Sequence, residues 1–153
     1  MRISRRAFLL LGVAGAAHAQ LPPNIGEIRK KALDEAMRKV VGNAQVRHGR
    51  VKLDIPPLID NGNAVPLSVE VESPMTAADH VKAIHVFTER NPQPYVLTVH
   101  LGPRAGRARI STRARIADTG AVTAIAQLSD GSFWSDSVKV VVTLSACLEE
   151  GLI

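Results

Sequence analysis

Asp60-Asn61-Gly62-Asn63-Ala64-Val65-Pro66-Leu67-Ser68-Val69-Glu70-Val71-Glu72-Ser73-Pro74 is the stretch that decides the fold class. Its first four residues are strong turn formers. From Val65 onward the apolar residues fall on every second position. Side chains alternate faces along an extended chain, so Val65, Leu67, Val69 and Val71 share one face. Ser73-Pro74 ends the run. The segment reads as a half-buried strand between two turns.

The same unit recurs on both sides of it. Val51, Leu53 and Ile55 alternate with polar residues and stop at Pro56-Pro57. Val81 to Phe87 and Tyr95 to Leu101 are further strands, separated by Asn91-Pro92-Gln93-Pro94. Gly102-Pro103-Arg104-Ala105-Gly106 makes a turn, after which Ala108, Ile110, Thr112, Ala114 and Ile116 alternate with polar residues. Val122 to Leu128 follows Gly120, Asp130-Gly131 signals a hairpin, and Val138 to Leu144 is a last, nearly all-apolar strand. About seven strands with turn signals between them predict a mainly β chain: two packed antiparallel sheets of immunoglobulin-like type. The cysteine pair of antibody domains is absent, so only the architecture is implied.

Before these strands the period changes. From Asn24 to Gly42 the apolar residues Ile25, Ile28, Ala32, Leu33, Ala36, Met37 and Val40 recur at spacings of three and four, which predicts an amphipathic helix. Asn24 with Glu27 three residues later is an N-cap with a capping-box partner, and Gly42 is a C-terminal stop. Arg29, Lys30, Lys31, Arg38 and Lys39 fill the remaining surface.

Residues 1–19 read as a signal peptide: a charged start, an apolar run from Ala7 to Ala16, and Ala17-His18-Ala19 as an A-x-A cleavage site. The run is too short for a membrane span. Ser4-Arg5-Arg6-Ala7-Phe8-Leu9 places an arginine pair before the apolar stretch, the address read by twin-arginine export. The expected organisation is therefore signal peptide 1–19, helical segment 20–49, β-sandwich 50–145 and a C-terminal tail 146–153. The whole chain carries 19 Lys and Arg against 14 Asp and Glu. Arg2, Arg5 and Arg6 leave with the signal, so the mature chain is only slightly basic. With so few aromatics and so small a net charge on the mature chain, nucleic acid and anionic membranes are not indicated as partners.

Candidate chemistry narrows quickly. There is no glycine-rich phosphate loop, no Cys-x-x-Cys, no haem-attachment motif and no Gly-x-Ser-x-Gly, so no cofactor is implied. His85 and His100 lie on separate strands and could approach each other, but two histidines lack a third metal ligand. Arg107, Arg109, Arg113 and Arg115 form a cationic stripe on one strand. It is either an edge guarded by charge or an anion-attracting, partner-docking surface. Phe133 and Trp134 follow the hairpin signal and suit either the core or a partner interface. Cys147 is the single cysteine. An exported chain with one thiol makes no internal disulfide, which leaves intermolecular pairing or reactive chemistry. Cys147 lies at or past the end of the last strand with no base evident beside it. That position suits a carrier better than an enzyme.

Val51-Lys52-Leu53-Asp54-Ile55-Pro56, Asn61-Gly62-Asn63-Ala64-Val65-Pro66, Val69-Glu70-Val71-Glu72-Ser73-Pro74-Met75-Thr76, Val81-Lys82-Ala83-Ile84-His85-Val86-Phe87, Asn91-Pro92, Ser111-Thr112-Arg113 and Ser129-Asp130-Gly131-Ser132-Phe133-Trp134 stand in this order. Together they resemble SoxY, the Y subunit of the sulfur-oxidation (Sox) carrier complex. The resemblance implies a periplasmic carrier, exported folded, that pairs with a Z-type subunit as a heterodimer. It implies that Cys147 is the covalent sulfur-attachment residue. The partner enzymes would be a c-type cytochrome that joins thiosulfate to the thiol and a hydrolase that removes sulfate. A disulfide dimer through Cys147 is a further possible state. One departure stands out: the family's cysteine sits in Gly-Gly-Cys-Gly-Gly, whereas here its neighbours are Ser145, Ala146, Leu148 and Glu149, and six residues follow. The alternative reading is an immunoglobulin-like periplasmic binding module that has lost sulfur carriage.

Overall fold

The computed structural model describes residues 24–143. The expected signal peptide and the expected C-terminal tail with Cys147 lie outside the described residues. One helix, α1 (Ile25–Val41), precedes nine strands: β1 (Val46–His48), β2 (Val51–Asp54), β3 (Leu58–Ile59), β4 (Val65–Val71), β5 (Val81–Thr88), β6 (Tyr95–His100), β7 (Ala108–Ala114), β8 (Gly120–Leu128) and β9 (Phe133–Val142). They form two sheets. One runs β1-β9-β8-β5-β6, with β3 also pairing β9; the other runs β2-β4-β7. The predicted immunoglobulin-like sandwich is what forms.

The alternation read from β4 sets the interior. Val65, Leu67, Val69 and Val71 are buried, flanked in the same sheet by Val51 and Leu53 of β2 and by Ala108 and Ala114 of β7. They meet Ile84 and Val86 of β5, Val122, Ala124, Ala126 and Leu128 of β8, and Val140 and Val142 of β9. Each fully buried Val, Leu or Ile contributes roughly 1.5–3 kcal/mol of transfer free energy, so this inter-sheet cluster carries most of the fold's stability.

The larger sheet is covered on its outer face too, which explains why β5 is buried along nearly its whole length. There Phe87, Ile125 and Phe133 form a second cluster against Leu33, Ala36, Met37, Val40 and Val41 of α1, with Val46 of β1 beside them. The helix begins as the sequence predicts. The Asn24 side chain accepts a hydrogen bond from the Glu27 N–H at 3.1 Å, and Gly42, at φ +60, donates its N–H to the Arg38 carbonyl at 2.8 Å. No residue of α1 is fully buried. It is a half-docked helix on a satellite core.

Two details differ from the sequence reading. First, β9 begins at Phe133, five residues before the expected Val138. Asp130-Gly131 turns tightly, with Gly131 at φ +82, and pairs Phe133 with Gln127 and Ser135 with Ile125. The polar Ser135-Asp136-Ser137 therefore sits inside a strand. The Asp136 carboxylate accepts the Leu53 N–H at 2.8 Å, tying β9 to β2 of the opposite sheet. Second, β1 and β3 are added. Both are short and pair parallel to opposite ends of β9, which is long enough to hold both.

Candidate functional site

The last described residue is Thr143, four residues before Cys147 in sequence. Two neighbouring strands and several hydrogen bonds hold it. On one side β9 pairs antiparallel with β8, and on the other it pairs parallel with β3. The Thr143 N–H donates to the Ile59 carbonyl at 2.9 Å, and its hydroxyl donates to the carbonyls of Ile59 and Asp60 at 3.4 and 3.1 Å. Thr119 Oγ1 accepts the Val142 N–H at 3.0 Å. Four residues of chain, from Thr143 to Cys147, span at most about 14 Å at full extension. Cys147 itself lies outside the described residues.

Among the described residues the histidines do not assemble into a site. His85 of β5 faces Thr98 of β6, and His100 faces Ala83 two places along. The two rings are thus diagonal neighbours on the outer face. His85 is buried, and its Nδ1 bonds Thr98 Oγ1 at 2.6 Å. The Tyr95 hydroxyl bonds the same Thr98 oxygen. Burial, and secondarily the charge of His100, hold the His85 pKa below the ordinary 6.5. Its Nε2 is buried without a hydrogen-bond partner among the described residues. His48 lies on β1 at the far sheet edge, and the His80 Nδ1 bonds the Thr76 carbonyl oxygen at 3.1 Å. Among the described residues no three His, Cys, Asp or Glu side chains converge as a metal would require.

The arginine stripe occupies an edge. β7 ends the three-stranded sheet, and Arg107, Arg109, Arg113 and Arg115 are all exposed. Arg109 stands opposite Glu70, which stands opposite Lys52, so charge alternates across this face. Arg115 donates to the Asn63 side-chain oxygen at 3.1 Å. Alternating signs on a solvated outer face fit an edge that resists pairing with another chain.

Phe133 and Trp134 have separate duties. Phe133 is core beneath α1. Trp134 packs partly against the inter-sheet cluster and donates its indole N–H to Ser132 Oγ at 3.1 Å. The guanidinium groups of Arg47 and Arg50 lie 5.6 and 5.7 Å from its ring centre, within cation–π range. The Gly49-Arg50 turn that places them is held at φ +106 and +54. Arg50 also pairs with Asp79 at 3.6 Å. The sequence reading missed this clasp. Its only local sign was Gly49 between two basic residues.

The family model described as sulfur oxidation protein SoxY matches residues 37–147, nearly three quarters of the chain. The chain belongs to the SoxY family. The sulfur carrier protein SoxY from Chlorobium limicola f thiosulfatophilum is 25% identical, with a TM-score of 0.62 over 74% of this chain and 98% of that one. A superoxide reductase (neelaredoxin) from Ignicoccus hospitalis shares the fold at 16% identity, with a TM-score of 0.55 over 61% of this chain and 80% of that one. A putative superoxide reductase from Thermotoga maritima does so at 18% identity and a TM-score of 0.53, over 65% and 89%. These last two likenesses are of architecture alone. No curated protein matches the sequence.

Proposed function

We propose that this SoxY-family chain is a periplasmic sulfur carrier whose Cys147 holds thiosulfate-derived sulfur covalently while partner enzymes act on it. The observation that carries the reading is the family match, which runs to Cys147 itself. The solved relative described as a sulfur carrier supports it. So does the place of Cys147 in the sequence, four residues beyond the hydrogen-bonded Thr143. The Ser4-Arg5-Arg6-Ala7-Phe8-Leu9 segment supports twin-arginine export to the periplasm. No helix among the described residues is long and apolar enough to cross a membrane.

The chemistry balances with two electrons given to an external oxidant. A Cys147 thiolate and thiosulfate join through a new sulfur–sulfur bond, giving Cys–S–S–sulfonate and releasing two electrons to a c-type cytochrome partner. Water then attacks the sulfonate sulfur and its bond to the sulfane sulfur breaks. Sulfate and a proton depart and Cys147 is left as a persulfide. The carrier supplies the thiol, its reach and a surface for partners, of which a Z-type subunit is the first.

The test is intact mass of the protein isolated from periplasm under sulfur-oxidising conditions, before and after reductant. A reductant-labile sulfur adduct on Cys147 is expected, with loss of thiosulfate-dependent activity in Cys147→Ser. Full activity of that variant in a reconstituted system ends the carrier reading. The departure of the tail from Gly-Gly-Cys-Gly-Gly favours a second reading, a binding module that has lost carriage. That reading requires a bare thiol in protein still bound to its partner.

A further inference from the structure

Two apolar side chains face solvent close to the last described residue. Leu58 and Val141 pair across β3 and β9, so they project on the same side. They are 61% and 47% exposed, and Val141 stands two residues before Thr143. Their chain neighbours Ile59 and Val142 point the other way and are buried. The remaining exposed large apolar side chains among the described residues, Ile25, Ile28 and Tyr95, lie on α1 and β6. Beside Leu58 the turn into β4 leaves a shallow recess of about 170 Å³, lined by Pro56, Asp60, Ala64 and Pro66. We propose that Leu58, Val141 and this recess are the docking contact for an enzyme that takes Cys147 into its cleft. Docking here rests on the carrier reading of Cys147.

The length of chain to the thiol leaves such an enzyme little choice of surface. Thr143 to Cys147 spans at most about 14 Å. β9 lends no extra length. The Val141 N–H donates to the Pro57 carbonyl at 2.8 Å and the Thr143 N–H to the Ile59 carbonyl at 2.9 Å, and the Val142 N–H donates to Thr119 Oγ1 at 3.0 Å. A sulfur that reacts inside a cleft lies below the cleft's rim, and all of that depth is taken from the same 14 Å. The rim is therefore drawn down onto the surface around Thr143, where Val141 and Leu58 stand.

The chemistry of that surface suits the encounter. A single exposed leucine needs no explanation. A leucine and a valine side by side, next to a recess and within one short tether of the reactive thiol, form the apolar centre of a binding contact. The β3–β9 pairing already fixes both residues, so docking does not have to order them. Two side chains and one recess are a small share of the roughly 1,600 Å² that a stable complex buries. A contact this small releases easily, as a carrier that leaves its enzyme after each step requires.

The test uses the mature chain with a purified Z-type subunit, loaded on Cys147 by tetrathionate. The thiolate attacks an inner sulfur of tetrathionate, which is itself the oxidant. Cys–S–S–sulfonate forms and thiosulfate leaves. Sulfate release by the purified partner hydrolase is then followed against carrier concentration. Leu58→Asp is expected to lower kcat/KM about tenfold with kcat unchanged, the effect of losing the burial of one leucine. Leu58→Met, which stays apolar, is expected to keep the wild-type value. An unchanged kcat/KM in Leu58→Asp, with circular dichroism showing a folded chain, refutes the contact. If Leu58→Asp instead loses the Z-type subunit, the patch belongs to that subunit and the docking contact is overturned. Binding of the unloaded carrier to the hydrolase gives a readout free of the sulfur chemistry: the amide resonances of Leu58 and Val141 are expected to shift, and their constancy in a complex that forms refutes the contact. A wild-type adduct that the hydrolase never turns over sinks the carrier reading and leaves this second readout to decide the docking surface.

Discussion

Phe87→Ala offers the sharpest test of the two-layer architecture. Phe87 is fully buried, yet it faces away from the inter-sheet core. It lies under α1 with Ile125 and Phe133, and its ring meets Tyr95 edge-on, centroids 5.4 Å apart at 70°. Truncation of a buried phenylalanine costs about 3–5 kcal/mol in transfer and cavity terms, and losing the edge-to-face contact belongs within that total. A cost near 4 kcal/mol in a domain of this size lowers Tm by roughly 12–20 °C. The location makes a second demand. Only three buried residues hold α1, so the variant should release the helix before the sheets. Urea unfolding gives the total, and amide hydrogen exchange gives its distribution. Exchange should rise throughout α1 while β4 and β8 keep their protection until global unfolding. A loss below about 1.5 kcal/mol, or equal loss of local protection in β4 and α1, would refute the claim that α1 sits on a separate satellite core.

Three further outcomes follow from named contacts. His85 is held neutral by burial, its folded pKa below the unfolded 6.5. The unfolded state therefore binds the extra proton first as pH falls, so stability is full above the unfolded value and declines down to the folded one. Urea midpoints measured across that window should flatten in His85→Gln, and a wild-type midpoint that rises on acidification contradicts the burial argument. Asn24→Ala removes the cap bond to Glu27 and should cost about 1 kcal/mol, read as fraying of the first turn of α1 by circular dichroism. Gly120→Ala drives a methyl into Arg90 and should destabilise by about 1–3 kcal/mol. Thermal unfolding should show most of that loss recovered when Arg90→Ser is added.

The sequence alone determined whatever depends on neighbours along the chain. Period-two alternation placed three strands, because a half-buried strand must put every second side chain on one face, and apolar runs between turn signals placed four more. Asn24, Glu27 and Gly42 bounded α1 because caps act over three or four residues. The ordered short stretches pointed to the SoxY family, and the single cysteine singled out Cys147. Tertiary structure decided the rest. Nothing local in Val46–His48 or Leu58–Ile59 marks a strand; each exists because a ten-residue β9 offers it an edge. Ser135-Asp136-Ser137 looks like a loop, yet its backbone is paired to β8 and Asp136 accepts from the opposite sheet. The apolar helix face gave no sign that half of it stays uncovered, since that depends on where Tyr95 and Pro94 stand beside it. The sequence located the thiol shortly after the last strand, but only the tertiary structure shows that β9 is held between β3 and β8 up to Val142. Hydrogen bonds between residues some eighty positions apart leave no periodic trace, and it is those bonds that brace Thr143.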